Sequence, residues 1–242
     1  MRSPAKSPLA HWRGRPLRAV LFDLDGTLFD TLGDIAAALN AAIGIRGWRP
    51  FAADEVRRMI GRGSPVLMQR AAEARGEFLD ADAEAQLLQR FFHHYEDLER
   101  SGRSSARPYD GAADILSRLH RAGVRTAVVT NKQHRFAAAL IESRGFSGWI
   151  DLIVGGDSCA RRKPDPQPLR YACDALQVSS SHCLMIGDSS NDVEAARGAD
   201  IPVVCVSYGY NEGGDPRTLA CDTLIDSLAE LGPLLFETTS AR

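Results

Sequence analysis

Long apolar runs are missing from this chain of 242 residues, and none approaches the roughly 18–20 residues that a membrane-spanning helix needs. Cysteine is sparse: the five residues Cys159, Cys173, Cys183, Cys205 and Cys221 never form a C-x-x-C pair, which excludes a zinc ribbon and a disulfide scaffold. Cys183 and Cys205 lie in apolar runs and read as buried free thiols of a reducing, cytoplasmic setting. An excess of either charge is also lacking. Lys and Arg number 29 against 31 Asp and Glu, a net charge of −2, so nothing global favours nucleic acid or an anionic membrane as partner. No internal repeat, heptad series or low-complexity tract occurs beyond the first 18 residues. Those carry Arg2, Lys6, Arg13, Arg15 and Arg18 with three prolines and no apolar core for a secretory signal. They are expected to form a disordered leader, with a transit peptide as the other reading. What remains, 44% hydrophobic and 25% charged, is the composition of a folded globular protein.

From Ala19 the chain alternates short apolar runs with helical periodicity. Ala19–Phe22 is a buried-strand pattern ending at Asp23, and four more such runs follow at 126–130, 152–154, 183–186 and 203–206. Between them, residues 113–122, 136–144, 167–176 and 192–197 carry helical spacing. Strands alternating with helices predict an α/β fold, a Rossmann-like parallel sheet with helices on both faces. The connection after the first strand is anomalous, because over a hundred residues separate Asp23 from Thr130. Most of it reads as helix. Thr31 or Asp30 caps a segment whose Ile35, Leu39 and Ile43 share a face, 54–60 and 65–75 flank a Gly61-Arg62-Gly63 break, and 82–99 is amphipathic. An inserted α-helical cap domain over 30–107 is therefore expected, mounted on a core of 19–29 and 108–242 and placed to act as a lid.

Four short stretches carry the chemistry. Asp23-Leu24-Asp25-Gly26-Thr27 ends the first strand, where ligands bind in open α/β sheets. Two carboxylates so close repel unless a cation or a shared proton separates them, which points to a metal with one acid free to attack and the other to handle protons. A calcium loop is excluded, since its required Gly and Glu positions hold Leu28 and Asp34. Thr130-Asn131 ends the second strand and reads either as a phosphate-oxygen site or as a helix cap. Lys163 stands beside Arg161 and Arg162 and reads either as a surface charge or as a phosphate partner. In Gly187-Asp188-Ser189-Ser190-Asn191-Asp192, two acids open a helix, either favouring its dipole or offering oxygen ligands to a hard cation such as Mg²⁺. All four converge on one sheet edge and together form a set suited to phosphoryl transfer.

In this order the stretches resemble the four motifs of the haloacid dehalogenase superfamily, over essentially 19–235. The resemblance implies that Asp23 is the nucleophile forming an aspartyl-phosphate. It implies that Asp25 is the acid/base and lends its backbone carbonyl to the metal, that Thr130 and Lys163 bind the phosphoryl group with Asn131 nearby, that Asp23 and Asp188 belong to a Mg²⁺ site, and that Asp192 supports the metal or Lys163. Asp25 favours a phosphatase over a dehalogenase, and Leu24 stands where the P-type ATPase form has lysine. The helical insertion and the stretches Val129–Lys132, Gly155–Asp157, Lys163-Pro164 and Ser207–Asn211 are similar to the subclass containing phosphoglycolate phosphatase. A small phosphomonoester, most readily 2-phosphoglycolate, is thus the expected substrate. A phosphosugar phosphatase (for instance on N-acetylmuramic acid 6-phosphate) or a phosphomutase shares the same core, and a phosphorylatable regulatory protein is the distant alternative. Arg62, between two glycines at the cap break, is a candidate for the substrate's second anion or an ordinary loop arginine. His93 and His94 point in different directions on a helix and are read as a mixed core-and-surface pair. The expected partner is a small-molecule phosphoester, with no nucleic acid and no membrane, in a monomer or dimer.

Overall fold

The computed structural model describes residues 10–236. The first strands, β1 (His11–Trp12) and β2 (Arg15–Pro16), pair antiparallel around an Arg13-Gly14 turn in which both residues have positive φ. This corrects the disordered-leader expectation for residues 10–18, while residues 1–9 lie outside the described residues. Trp12 and Leu17 are buried in the main core, so apolar contact fixes a segment whose arginines made it read as solvated.

Strand β3 (Ala19–Phe22) is wholly buried and central. After β4 (Phe29–Asp30) come helices α1 (Leu32–Ile43), α2 (Ala53–Arg57), α3 (Ser64–Glu73) and α4 (Ala81–Arg100), and then β5 (Arg107–Pro108). The chain continues through α5 (Ala112–Arg121), β6 (Arg125–Val129), α6 (His134–Ser143), β7 (Leu152–Val154), α7 (Gln167–Leu176) and β8 (Cys183–Gly187). It ends with α8 (Ser190–Gly198), β9 (Val203–Val206), β10 (Thr223–Ile225) and α9 (Leu231–Phe236). Six strands form one parallel sheet in the order β10-β9-β8-β3-β6-β7.

Alternation along the strands divides the apolar residues between two layers. Val20, Phe22, Val128, Leu184, Ile186, Val204 and Val206 join the cluster that includes Ile115, Leu116, Leu119, Leu140 and Leu231 of α5, α6 and α9. Ala19, Leu21, Ala127, Val129, Met185, Val203 and Cys205 face the opposite way, onto Leu169, Ala172 and Leu176 of α7 and Val193 and Ala196 of α8. Helices therefore cover both faces, as the continuous apolar runs predict. The five cysteines are free thiols; Cys173, Cys183 and Cys205 are buried. Among the described residues, no helix is long and apolar enough to cross a membrane.

The helices between β4 and β5 have a hydrophobic cluster of their own. Leu39 and Ile43 of α1 pack with Met68 of α3 and with Leu87, Phe91 and Tyr95 of α4, and α1 runs along α4. Asp80 caps α4 by accepting the Ala83 N–H at 2.8 Å. Phe136 of α6 and Tyr210 also join this cluster, seating the helical unit on the sheet edge. β4 and β5 pair antiparallel, Phe29 opposite Pro108 and Asp30 opposite Arg107, so the chain leaves and re-enters the sheet layer side by side. The buried Asp34 of α1 reinforces the return leg by accepting from the Ser104 hydroxyl and from both the backbone N–H and the hydroxyl of Ser105.

Candidate active site

The carboxyl ends of β3, β6, β8 and β9 open beneath the helical unit into a cavity of about 710 Å³ including its mouth. Asp23, Asp25, Thr130, Asn131, Asp188 and Ser189 line its sheet side, and Ile35, Ile60, Leu67, Phe91 and Tyr95 its helical side. Residues far apart in sequence thus meet where β3, β6 and β8 end in register.

Asp23 and Asp25 leave β3 with different partners. Lys163 Nζ lies 2.9 Å from Asp23 Oδ1, an ion pair that fixes this buried oxygen. The same ammonium donates to Asp192 Oδ1 at 2.7 Å, so it is held between two carboxylates and is almost wholly buried. Burial raises the Asp23 pKa to about 6 despite the opposing pull of Lys163, with the Asp192 and Asp25 charges adding to the rise. For Lys163, burial disfavours the charge, but Asp192 and Asp23 outweigh it and the pKa is raised. Lys163 is not the surface charge its arginine neighbours suggest.

Asp25 turns away from that pair. Its Oδ1 accepts from the Thr31 hydroxyl at 2.7 Å and from Lys132 Nζ at 3.0 Å. Its side chain consequently stands apart from the carboxylate cluster, leaving only its backbone carbonyl for the metal role that the resemblance implies. Thr31, at the N-cap position of α1, makes no side-chain cap; Asp30 accepts the Leu32 N–H at 3.3 Å instead. Thr31 and Lys132 are the neighbours that sequence reasoning missed. A hydroxyl at a helix start reads as a cap and a lysine before a helix reads as solvated, and neither contact is visible without the fold.

Asp188 is held by donors and has no cation against it. Thr27 donates its hydroxyl to Oδ1 at 3.1 Å, and the Tyr210 N–H to Oδ2 at 2.6 Å. Burial, together with the Asp192 and Asp23 charges, raises its pKa to about 8. Gly26, at φ +85°, permits this packing, since a Cβ there would lie 2.7 Å from Asp188 Oδ2. Asp192 caps α8: its Oδ2 accepts from the Ser189 N–H and hydroxyl while its Oδ1 receives Lys163. One oxygen each of Asp23, Asp188 and Asp192 lie within 4.8 Å of one another, the hard donor set of a divalent cation.

Thr130 lines the cavity, and its hydroxyl accepts the Lys132 N–H at 3.2 Å. Neither Thr130 nor Asn131 caps α6, whose N-cap is Gln133. The Asn131 amide instead donates to Gly61 O of the helical unit and to Lys163 O of the core, both at 2.9 Å. Arg62 is not brought into the cavity. Its Nε pairs with Glu212 at 3.0 Å, and Arg70 joins the same carboxylate at 2.9 Å. Glu212 lies 150 positions from Arg62, so the competing anion could not be read from the loop itself. His93 is exposed beside Asp97 and His94 is half-buried; both stand outside the cavity.

A parallel sheet presenting acids at adjacent strand ends beneath a helical cover defines a hydrolase of the haloacid dehalogenase-like family. Its family model matches residues 17–200, and the chain belongs to that family. The chain is 38% identical to a phosphoglycolate phosphatase of Nitrosospira multiformis, covering 91% of this chain and 96% of that protein. It is 41% identical to a plasmid-encoded phosphoglycolate phosphatase of Cupriavidus necator, covering 91% and 94%. Among solved structures it resembles a predicted phosphoglycolate phosphatase of Haemophilus somnus, with a TM-score of 0.83 and 29% identity over 89% of this chain and 96% of that one.

Proposed function

We propose that this protein is a phosphatase that hydrolyses 2-phosphoglycolate to glycolate and phosphate. The reading rests on one observation above the others: Asp23, ion-paired with Lys163, faces the same cavity as Asp25, which a different lysine holds. The similarity to phosphoglycolate phosphatases over nine-tenths of the chain supports the substrate.

In the proposed reaction, an Asp23 carboxylate oxygen attacks phosphorus and the bond from phosphorus to the glycolate oxygen breaks. Asp25, entering as the acid, gives that oxygen its proton, and glycolate leaves. Asp25, now a carboxylate, takes a proton from water as the water attacks the phosphorus of the aspartyl-phosphate, which returns Asp23 and releases phosphate. Lys163 neutralises phosphoryl oxygens beside Asp23, and Thr130 offers its hydroxyl. The oxygen-only cluster of Asp23, Asp188 and Asp192 fits a hard cation. We assign it to Mg²⁺, which when bound would offset the negative charge gathered around the phosphoryl group. Because Asp192 takes the Lys163 ammonium on one oxygen and the Ser189 donors on the other, while Asp188 has no cation against it, Asp23 and Asp188 are the better ligands and Asp192 orients Lys163. The helical unit serves as a lid that excludes bulk water. Five free thiols suit a cytoplasmic setting.

The test is phosphate release from 2-phosphoglycolate, hexose phosphates, N-acetylmuramic acid 6-phosphate, nucleotides and pyrophosphate, with Mg²⁺ and with EDTA. Metal-dependent preference for 2-phosphoglycolate is expected. Preference for a sugar phosphate would move the assignment to a phosphosugar phosphatase, and transfer of phosphate back to a sugar would move it to a mutase.

A further inference from the structure

A dianionic phosphate is only half of the electrostatic problem that 2-phosphoglycolate poses, because its carboxylate must also enter a cavity whose far wall is apolar. Ile35, Ile60, Leu67, Phe91, Phe92 and Phe136 form that wall, and an uncompensated anion against it would be strongly disfavoured. The cations nearby are mostly committed: Lys163 lies between Asp23 and Asp192, while Arg62 and Arg70 share Glu212. Among the described residues lining the cavity, Lys132 is the one lysine or arginine.

Its surroundings are built rather than incidental. Lys132 Nζ lies 3.0 and 3.3 Å from the two Asp25 oxygens and 4.4 Å from the centre of the Tyr95 ring. An ammonium has three N–H donors, and a single carboxylate does not exhaust them. Tyr95 is 2% exposed, lines the same cavity, and sets its hydroxyl beside the Lys132 ammonium. Its oxygen can take an N–H of that ammonium, which leaves the phenolic proton without an acceptor and free to be given to an arriving anion. Burial pushes the Tyr95 pKa up to about 12, so the hydroxyl stays protonated and able to donate.

We propose that Lys132, with the Tyr95 hydroxyl beside it, receives the substrate's second anionic group, a carboxylate one carbon away from the phosphoester oxygen. This rests on the 2-phosphoglycolate reading and identifies the residues that would enforce it. Lys132 also holds Asp25, so the ammonium serves both the acid/base and the carboxylate, and only a substrate bearing the carboxylate gains the second contact.

The experiment compares kcat and KM for 2-phosphoglycolate and for 2-hydroxyethyl phosphate, in which a hydroxymethyl group replaces the carboxylate, in wild type, Lys132→Met and Tyr95→Phe. Lys132→Met is expected to lose roughly 100-fold in kcat/KM on 2-phosphoglycolate and roughly tenfold or less on the neutral ester, collapsing the preference. Tyr95→Phe, which keeps the ring and the packing, is expected to lose about fivefold on the carboxylate substrate alone. A wild type without preference for 2-phosphoglycolate overturns the substrate reading and this inference with it. A wild-type preference that survives undiminished in both variants overturns the inference and leaves the reading standing. If Lys132→Met does not fold, Tyr95→Phe decides by the same ratio.

Discussion

Replacing Asp188 by Asn should make the metal-free protein more stable while destroying its activity. Asp188 is buried, faces the carboxylates of Asp23 and Asp192, and has a pKa raised from 3.8 to about 8 by burial first and those charges second. A raised acid pKa means that the folded state disfavours the carboxylate. The penalty is absent below the unfolded-state value near pH 4, grows as pH rises, and levels off above about pH 8. A rise of about four units corresponds to roughly 5 kcal/mol as a ceiling. Relaxation and water entry reduce it, so a gain of about 2–4 kcal/mol is expected for the neutral variant. Asn fits the local donors: its carbonyl accepts the Tyr210 N–H and its amide donates to the Thr27 hydroxyl, now turned to accept. At roughly 2–4 °C per kcal/mol for a chain of this size, Tm in EDTA should rise by about 5–15 °C at pH 8 and by about a third as much at pH 5. Mg²⁺ at about a thousand times its Kd should reverse the order, since such a ligand stabilises by about 4.1 kcal/mol and only the wild type binds it well. Differential scanning calorimetry at both pH values, with and without Mg²⁺, measures all of this. An Asn variant less stable than wild type at pH 8 in EDTA, or a gain as large at pH 5 as at pH 8, would refute the reasoning.

Other perturbations separate the remaining roles. Asp23→Asn should lower kcat by about a thousandfold or more with an unchanged circular dichroism spectrum, because the amide keeps the shape and loses the nucleophile; turnover near wild type would remove the assigned chemistry. Lys163→Met leaves the buried Asp192 and Asp23 facing each other, so activity should fall and urea unfolding should show about 3 kcal/mol less stability. Glu212→Gln frees Arg62 and Arg70 of the helical unit from the Tyr210–Gly213 turn, and KM should rise several-fold while stability changes by under about 1 kcal/mol, as for partly exposed pairs. Trp12→Ala removes a side chain of the N-terminal hairpin buried in the main core, and should cost about 3–5 kcal/mol with little change in KM.

How far the sequence could be read follows from the range of each interaction. Ala19–Phe22 and its fellow runs announced a sheet buried on both faces, because four consecutive apolar residues suit no half-exposed strand. The same continuity hid which side chain faces which helix layer, and only pairing in the sheet divides Val20 from Leu21. β10 escaped notice because only Leu224 and Ile225 of Thr223–Ile225 are apolar, between Asp222 and Asp226, where β7 is apolar throughout. In the site, Asp23, Asp25, Asp188 and Asp192 were legible because paired acids after apolar runs have few structural explanations. Lys132 and Thr31 were not, since each has a bland local reading and earns its place only through Asp25. Arg62 failed for the converse reason: its loop was read correctly as a break between helices, but its partner comes from a distant turn.

The antiparallel stem of β4 and β5 has a consequence for how such a protein can change. Because Phe29 stands opposite Pro108, the chain departs and returns at neighbouring points, and the strand order of the sheet does not depend on what lies between them. Residues 31–106 behave topologically as one long side loop, whose closure entropy rises only slowly with length. Helices can be lengthened, exchanged or trimmed there while Asp23, Lys163 and Asp188 keep their places at the strand ends. Through that stem, the part that meets the organic end of a substrate can vary at a different rate from the part that handles phosphorus.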